Sequence, residues 1–213
     1  PGPSPNRPPH MLLESDMRFV IALILLLLTG CDKETPGQGQ AQPALAANLD
    51  ATGKTEIILE SANGTRATLS YRFAGQKAPT APFADADGQD VALADFEGKP
   101  LLLNIWATWC APCKAEMPTL DTLAKLEKDR MAVIAVSQDL EGRAPVLAFF
   151  KETKVQNLVP YTDADNAILA AFNNAIALPT TILYDSAGKE VWRIAGGVEW
   201  DDTEMAKLLR QAD

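Results

Sequence analysis

The sequence predicts an α/β fold: a central mixed β-sheet with helices on both faces. Three observations carry this. The apolar run Leu101-Leu102-Leu103-Asn104-Ile105-Trp106 reads as a buried strand. It passes into a stretch of helical period, residues 114–128, in which Met117, Leu120, Leu123 and Ala124 share one face. Later, residues 181–184 and 191–194 read as an antiparallel strand pair joined at Ser186-Ala187-Gly188-Lys189.

The 213 residues allow one domain with extensions, and 47% hydrophobic content is ordinary for a globular chain. A net charge of −9 argues against a nucleic-acid partner.

Residues 1–16 are proline-rich and read as disordered upstream sequence. Met17-Arg18 looks like a positive n-region, and residues 19–28 form an apolar segment too short to span a bilayer. Leu28-Thr29-Gly30-Cys31 comes next and resembles a lipobox, so residues 17–31 read as a lipoprotein signal with Cys31 as the lipidated residue. Residues 32–50 are rich in Gly, Gln, Pro and Ala and read as a flexible tether. Its mean reach is roughly 20–25 Å.

Residues 51–77 read as an N-terminal hairpin extension. Asn63-Gly64 lies between two β-like runs, and a type I′ turn needs positive φ at both central positions. Ala67, Leu69, Tyr71 and Phe73 alternate with polar residues, so one face should pack, with the hairpin covering the sheet of the main domain; an edge for docking a partner is the other reading.

The main domain is expected over residues 78–213. Residues 83–87 and 91–93 form a second hairpin about Gly88. Pro118 should kink the helix that contains it. Residues 131–136 read as a strand, and residues 145–154 as a helix with Val146, Phe149 and Phe150 inward. A short strand at 159–161 and a short helix at 167–172 come after it. Asp202 is a good N-cap for a closing helix to Gln211.

Chemistry centres on Trp109-Cys110-Ala111-Pro112-Cys113. Two cysteines two residues apart can close and reopen a small disulfide. Cys110 falls at the helix start, where unpaired N–H groups and the helix dipole favour a thiolate. Cys113, one turn in, is the more buried resolving thiol. The other reading of Cys-x-x-Cys is half a zinc site. That needs four ligands, and the chain has three cysteines and one histidine, His10, in the leader. No metal and no cofactor are expected beyond a redox-active Cys110–Cys113 disulfide.

The segment from Asn104 to Pro118, with its tryptophans, Cys-x-x-Cys, Glu116 and proline, resembles the active-site segment of the TlpA/ResA/DsbE-like thioredoxin-fold oxidoreductases. The likeness runs from about Ala78 to the C-terminus. It implies a thioredoxin fold in which the strand and helix near 159–172 are the TlpA-like insert. Asn104 stands where ordinary thioredoxins carry a buried Asp. The resemblance further implies that Pro179 of Leu178-Pro179-Thr180 is cis and lies against the cysteines. Leu178 and Thr180 beside it would then bind the client through the backbone, and Trp109 is the third expected substrate-binding residue; Trp109, like Trp106, is otherwise read as mostly packing, with Trp109 also shielding the cysteine pair. It also implies that Glu116 moves protons for the thiols, where a solvated helix glutamate is the alternative.

The function implied is that of a membrane-tethered, extracytoplasmic protein-disulfide reductase, a monomer. Its partners would be exported disulfide proteins, as in cytochrome c or oxidase maturation, and a membrane thiol reductant of the DsbD/CcdA type. Two alternatives compete. A thioredoxin-fold peroxidase needs Pro-x-x-x-Thr/Ser-x-x-Cys, and Leu103 and Ala107 stand at those positions. A copper metallochaperone needs a distal histidine ligand, which the chain lacks after its leader.

Overall fold

The strand of residues 101–106 is buried along its whole length, which requires cover on both faces. The computed structural model describes residues 47–49, 55–60, 64–173 and 175–213. The leader, Cys31 and most of the tether lie outside them. The strands are β1 (Ala47–Leu49), β2 (Thr55–Glu60), β3 (Arg66–Ser70), β4 (Phe83–Ala84), β5 (Asp90–Val91), β6 (Leu101–Trp106), β7 (Ala132–Ser137), β8 (Pro160–Thr162), β9 (Thr180–Tyr184) and β10 (Glu190–Ala195). The helices are α1 (Ala111–Glu127), α2 (Arg143–Thr153), α3 (Ala167–Ala171) and α4 (Thr203–Leu209).

One mixed sheet runs β1-β2-β3-β10-β9-β6-β7-β8-β4-β5. β6 is parallel to β7 and antiparallel to β9. Alternation along β6 divides the core. Leu102 and Trp106 face a cluster that includes Met117 and Leu120 of α1, Phe149 and Phe150 of α2, and Leu209 of α4. Leu101, Leu103 and Ile105 face Phe83, Leu93 and Ile168 on the other side. Three helices therefore cover one face. The short α3 and the segment before β6 cover the other.

Two expectations need correction. Ala47–Leu49, read as tether, is a strand paired with β2 at Ala47↔Ile57. Its composition gives no strand signal; pairing covers the open edge of β2. The 55–73 hairpin does not cover a sheet face. β3 pairs with β10 at Leu69↔Ile194, which makes the hairpin part of the central sheet. Ala67 and Leu69 are buried as the alternation requires. Phe73, beyond the strand, instead receives the Arg193 guanidinium 3.8 Å over its ring. Asn63 lies outside the described residues; Gly64 has φ +80°, as a turn glycine should.

Other elements fall close to expectation. α1 begins three residues before the expected Lys114 and contains Pro118. Val146, Phe149 and Phe150 are the buried residues of α2. Asp202 caps α4, accepting from Glu204 N at 2.7 Å.

Two buried carboxylates tie loops to helices. Asp163 accepts from Ala167 N and Ile168 N and so caps α3. Asp121 on α1 accepts from the backbone N–H groups of Gln156, Asn157 and Leu158 at 3.1, 2.7 and 3.0 Å. Asn157 Nδ2 donates to its other oxygen at 2.7 Å. This bond set fixes α1 against the segment entering β8. Asp121→Ala should lower stability by about 3 kcal/mol, because three N–H groups lose their acceptor. The guanidinium chloride midpoint measures this, and an unshifted midpoint would show that Asp121 anchors nothing.

Candidate active site

β6 ends at Trp106, and α1 begins five residues later. The turn between them is held from below. Asp139, just past β7, accepts from Thr108 N at 2.9 Å and from Thr108 Oγ1 at 2.6 Å, while Ser137 Oγ donates to it at 2.6 Å. Trp106 stacks on Phe150 at 5.9 Å and is fully buried. Trp109 departs from its expected packing role: it is 67% exposed, at the outside of the turn beside the anchored Thr108.

Cys110 is the N-cap of α1, with extended backbone dihedrals, and its Sγ accepts from Cys113 N at 3.4 Å. The two cysteines are joined by a disulfide. Cys113 is fully buried, whereas Cys110 keeps 7% exposure and is the more accessible of the two. Ala111 and Pro112 are exposed between them.

The Leu178–Pro179 bond is cis. Pro179 immediately precedes β9, whose Thr180 pairs with Ile105 near the end of β6. The strands are antiparallel, so the start of β9 and the end of β6 meet at the same edge of the sheet. The proline loop and the cysteine turn therefore emerge together. Leu178 is half-buried and Thr180 buried, with Thr180 Oγ1 donating to Ala177 O at 2.6 Å. Gly196 N donates to Pro179 O at 2.9 Å. A Cβ on Gly196 would lie 2.9 Å from Arg66 O, and its φ is +107°, so only glycine fits there.

Glu116 is not a solvated helix glutamate; it is 3% exposed. It lies one turn beyond Cys113, which places their Cβ atoms about 5–6 Å apart. Asn104 Nδ2 donates to Glu116 Oε1 at 2.7 Å and to Thr181 Oγ1 at 2.9 Å. Val198 N donates to Oε2 at 3.2 Å. Trp200 Nε1 faces the carboxylate without reaching hydrogen-bond geometry. Burial raises the Glu116 pKa from 4.5 to about 7, and the bonds from Asn104 and Val198 only partly oppose this. The group can therefore gain or lose a proton near neutrality.

Sequence reasoning placed Cys110, Cys113, Glu116, Leu178, Pro179, Thr180 and Trp109 at one end of the sheet. It missed Asp139, Ser137 and Thr108, whose spacing in sequence gives no sign of contact. It also gave Trp200 no role. The Gly196-Gly197 pair was a usable signal for close backbone approach.

A mixed sheet of this order, with a Cys-x-x-Cys capping the helix after the central strand and a cis proline beside it, defines a thioredoxin-fold thiol-disulfide oxidoreductase. The Redoxin family matches residues 73–209. The thiol-disulfide oxidoreductase ResA of Bacillus thuringiensis subsp. konkukian is 35% identical over 123 residues, covering 57% of this chain and 69% of that protein. The thioredoxin-like protein YneN of Bacillus subtilis is 36% identical over 115 residues, covering 54% and 66%. The structure of an exposed lipoprotein thioredoxin from Streptococcus pneumoniae superposes with a TM-score of 0.53 at 27% identity, over 61% of this chain and 97% of that one. The chain belongs to the Redoxin family, among its TlpA/ResA/DsbE-like thiol-disulfide oxidoreductases.

The raised Glu116 pKa sets a sign for stability. Its folded value lies above the unfolded one, so its contribution is full below pH 4.5 and is lost as pH rises through about 7. Oxidised wild-type protein should therefore lose up to about 3 kcal/mol against Glu116→Gln across that window. Denaturant melts of both proteins at several pH values measure the difference. A gap independent of pH would contradict the buried, titrating carboxyl.

Proposed function

We propose that this chain is a membrane-tethered, extracytoplasmic dithiol that reduces disulfides of selected exported proteins. The observation that carries this reading is the Cys110–Cys113 disulfide at the N-cap of α1, with the more accessible sulfur on Cys110. In the reduced protein the backbone N–H groups at that helix end favour the Cys110 thiolate.

The reaction runs in two exchanges. Cys110 thiolate attacks one sulfur of the client disulfide. A Cys110–client bond forms, the client S–S bond breaks, and its leaving sulfur departs as a thiolate that takes a proton. Glu116 then accepts the Cys113 proton, and Cys113 thiolate attacks Cys110 Sγ. The mixed disulfide breaks, the second client thiolate leaves, and the Cys110–Cys113 bond forms. Two electrons pass from the protein to the client. A membrane dithiol of the DsbD/CcdA type returns two electrons and two protons to reset the pair. No resident cofactor or metal takes part.

The backbone beside Pro179, at Leu178 and Thr180, is where the client strand pairs, with Trp109 on its other flank. The tether rests on the Leu28-Thr29-Gly30-Cys31 motif, with Cys31 as the lipidated residue. The Streptococcus pneumoniae relative is itself an exposed lipoprotein, in keeping with that reading. Among the described residues no helix is long and apolar enough to cross a membrane. The protein acts as a monomer, and its clients are those of cytochrome c or oxidase assembly.

Cys113→Ser should accumulate mixed disulfides with exported proteins, because the first exchange proceeds and the second cannot. Cys110→Ser should not. Non-reducing electrophoresis after acid quenching reads both, and equal trapping by the two variants would reverse or abolish the assigned roles.

A further inference from the structure

Trp200 is 2% exposed, yet its Nε1 has no hydrogen-bond partner among the described residues. A buried donor left unpaired is costly, so its placement needs a reason. The group it faces is the Glu116 carboxyl.

Two clamps on one turn of α1 place the indole there. Val198 N donates to Glu116 Oε2 at 3.2 Å. Two residues on, Trp200 N donates to Thr119 Oγ1 at 3.1 Å, and that hydroxyl donates to Glu116 O at 2.9 Å. The same segment touches the reacting groups. Gly196 N donates to Pro179 O at 2.9 Å, and a Cβ on Gly197 would lie 3.2 Å from Pro112 O. With the backbone fixed at 198 and 200, a small turn of the indole is all that closing the bond requires.

We propose that Trp200 is a positioning residue of the exchange reaction, whose indole N–H is held in reserve beside Glu116 and closes onto the carboxylate when that group gives up its proton. This rests on the proposed exchange reaction. The other groups around the carboxyl are accounted for. Asn104 of β6 donates to Oε1 and to Thr181 of β9, and neither carries a charge. Cys113 of α1 brings the proton to be moved. Thr65 and the acidic, exposed Glu199 line the small opening beside Glu116. A donor aimed at the carboxylate favours its charged form and so opposes the effect of burial. Without it Glu116 would hold its proton and could not take one from Cys113. Once the Cys113 proton has moved to Glu116, the negative charge is gone, the bond weakens and the indole releases.

The test follows the indole N–H of Trp200 and the carboxyl carbon of Glu116 by NMR in oxidised full-length protein as pH is raised. The indole signal is assigned through the residue's own backbone amide, so it needs no variant. It should move downfield with the same midpoint as the carboxyl carbon, and it should stay still in Glu116→Gln. Trp200→Phe keeps a ring and removes the N–H. It should raise the Glu116 midpoint, near 7 in the wild type, by about one pH unit. In the reduced protein, resolution of the mixed disulfide with a peptide client should then slow about fivefold at pH 7 and recover at higher pH. Trp192→Phe is the control. It removes a buried indole bond to Leu208 O at 3.2 Å and should leave the midpoint where it is.

An indole signal that does not follow Glu116 would overturn the proposal while leaving the exchange reaction in place. So would a Trp200→Phe protein with an unchanged midpoint, or one slowed equally at every pH, since a residue that only packs would behave in that way. A wild type whose indole follows Glu116 but which reduces no disulfide would overturn the exchange reaction, and the positioning role with it.

Discussion

The site depends on one buried contact, the Glu116 carboxyl held by Asn104 between β6 and α1. A carboxyl with 3% exposure needs either neutralisation or strong donors. This one has an amide and a backbone N–H from Val198, enough to hold it but not to keep it fully ionised. The result is a carboxyl that titrates near neutrality one turn from Cys113. The contact also fixes the geometry. Asn104 bonds Thr181 of β9 as well, so one side chain links the central strand, the cysteine helix and the strand entered from Pro179.

The chemistry of the thiols is set by what surrounds them. The helix end favours the Cys110 thiolate. Ala111 and Pro112 add no side-chain donor, and Pro112 lacks an N–H as well. An ionised Glu116 would disfavour a thiolate beside it. Moderate stabilisation of the reduced form is what the proposed reductant role requires, because a couple with a strongly stabilised thiolate is an oxidant.

Much of this was legible in the sequence, and the reasons are specific. β6 was plain because five of its six residues are apolar, interrupted only by Asn104, and α1 because Met117, Leu120 and Leu123 keep helical period. The cysteine pair, Glu116 and Pro179 were found through motif and resemblance. Asp139 was not, because it acts through Thr108, 31 residues away, across two parallel strands. Asp121 was hidden for the same reason, its partners lying 35 to 37 residues on. β1 was missed because edge pairing, not side-chain pattern, makes it a strand. Exposure of Trp109 was also illegible, since a tryptophan beside an apolar run reads as core.

The most direct test of the central claim is the reduction potential of the Cys110–Cys113 couple, measured by equilibration with a glutathione or thioredoxin buffer at pH 7. Moderate thiolate stabilisation places it nearer thioredoxin, at about −270 mV, than DsbA, at about −120 mV. A value in that lower range makes the protein a reductant of exported disulfides. A value above about −180 mV, the level of protein disulfide isomerase, would contradict the account and make the protein an oxidant or isomerase.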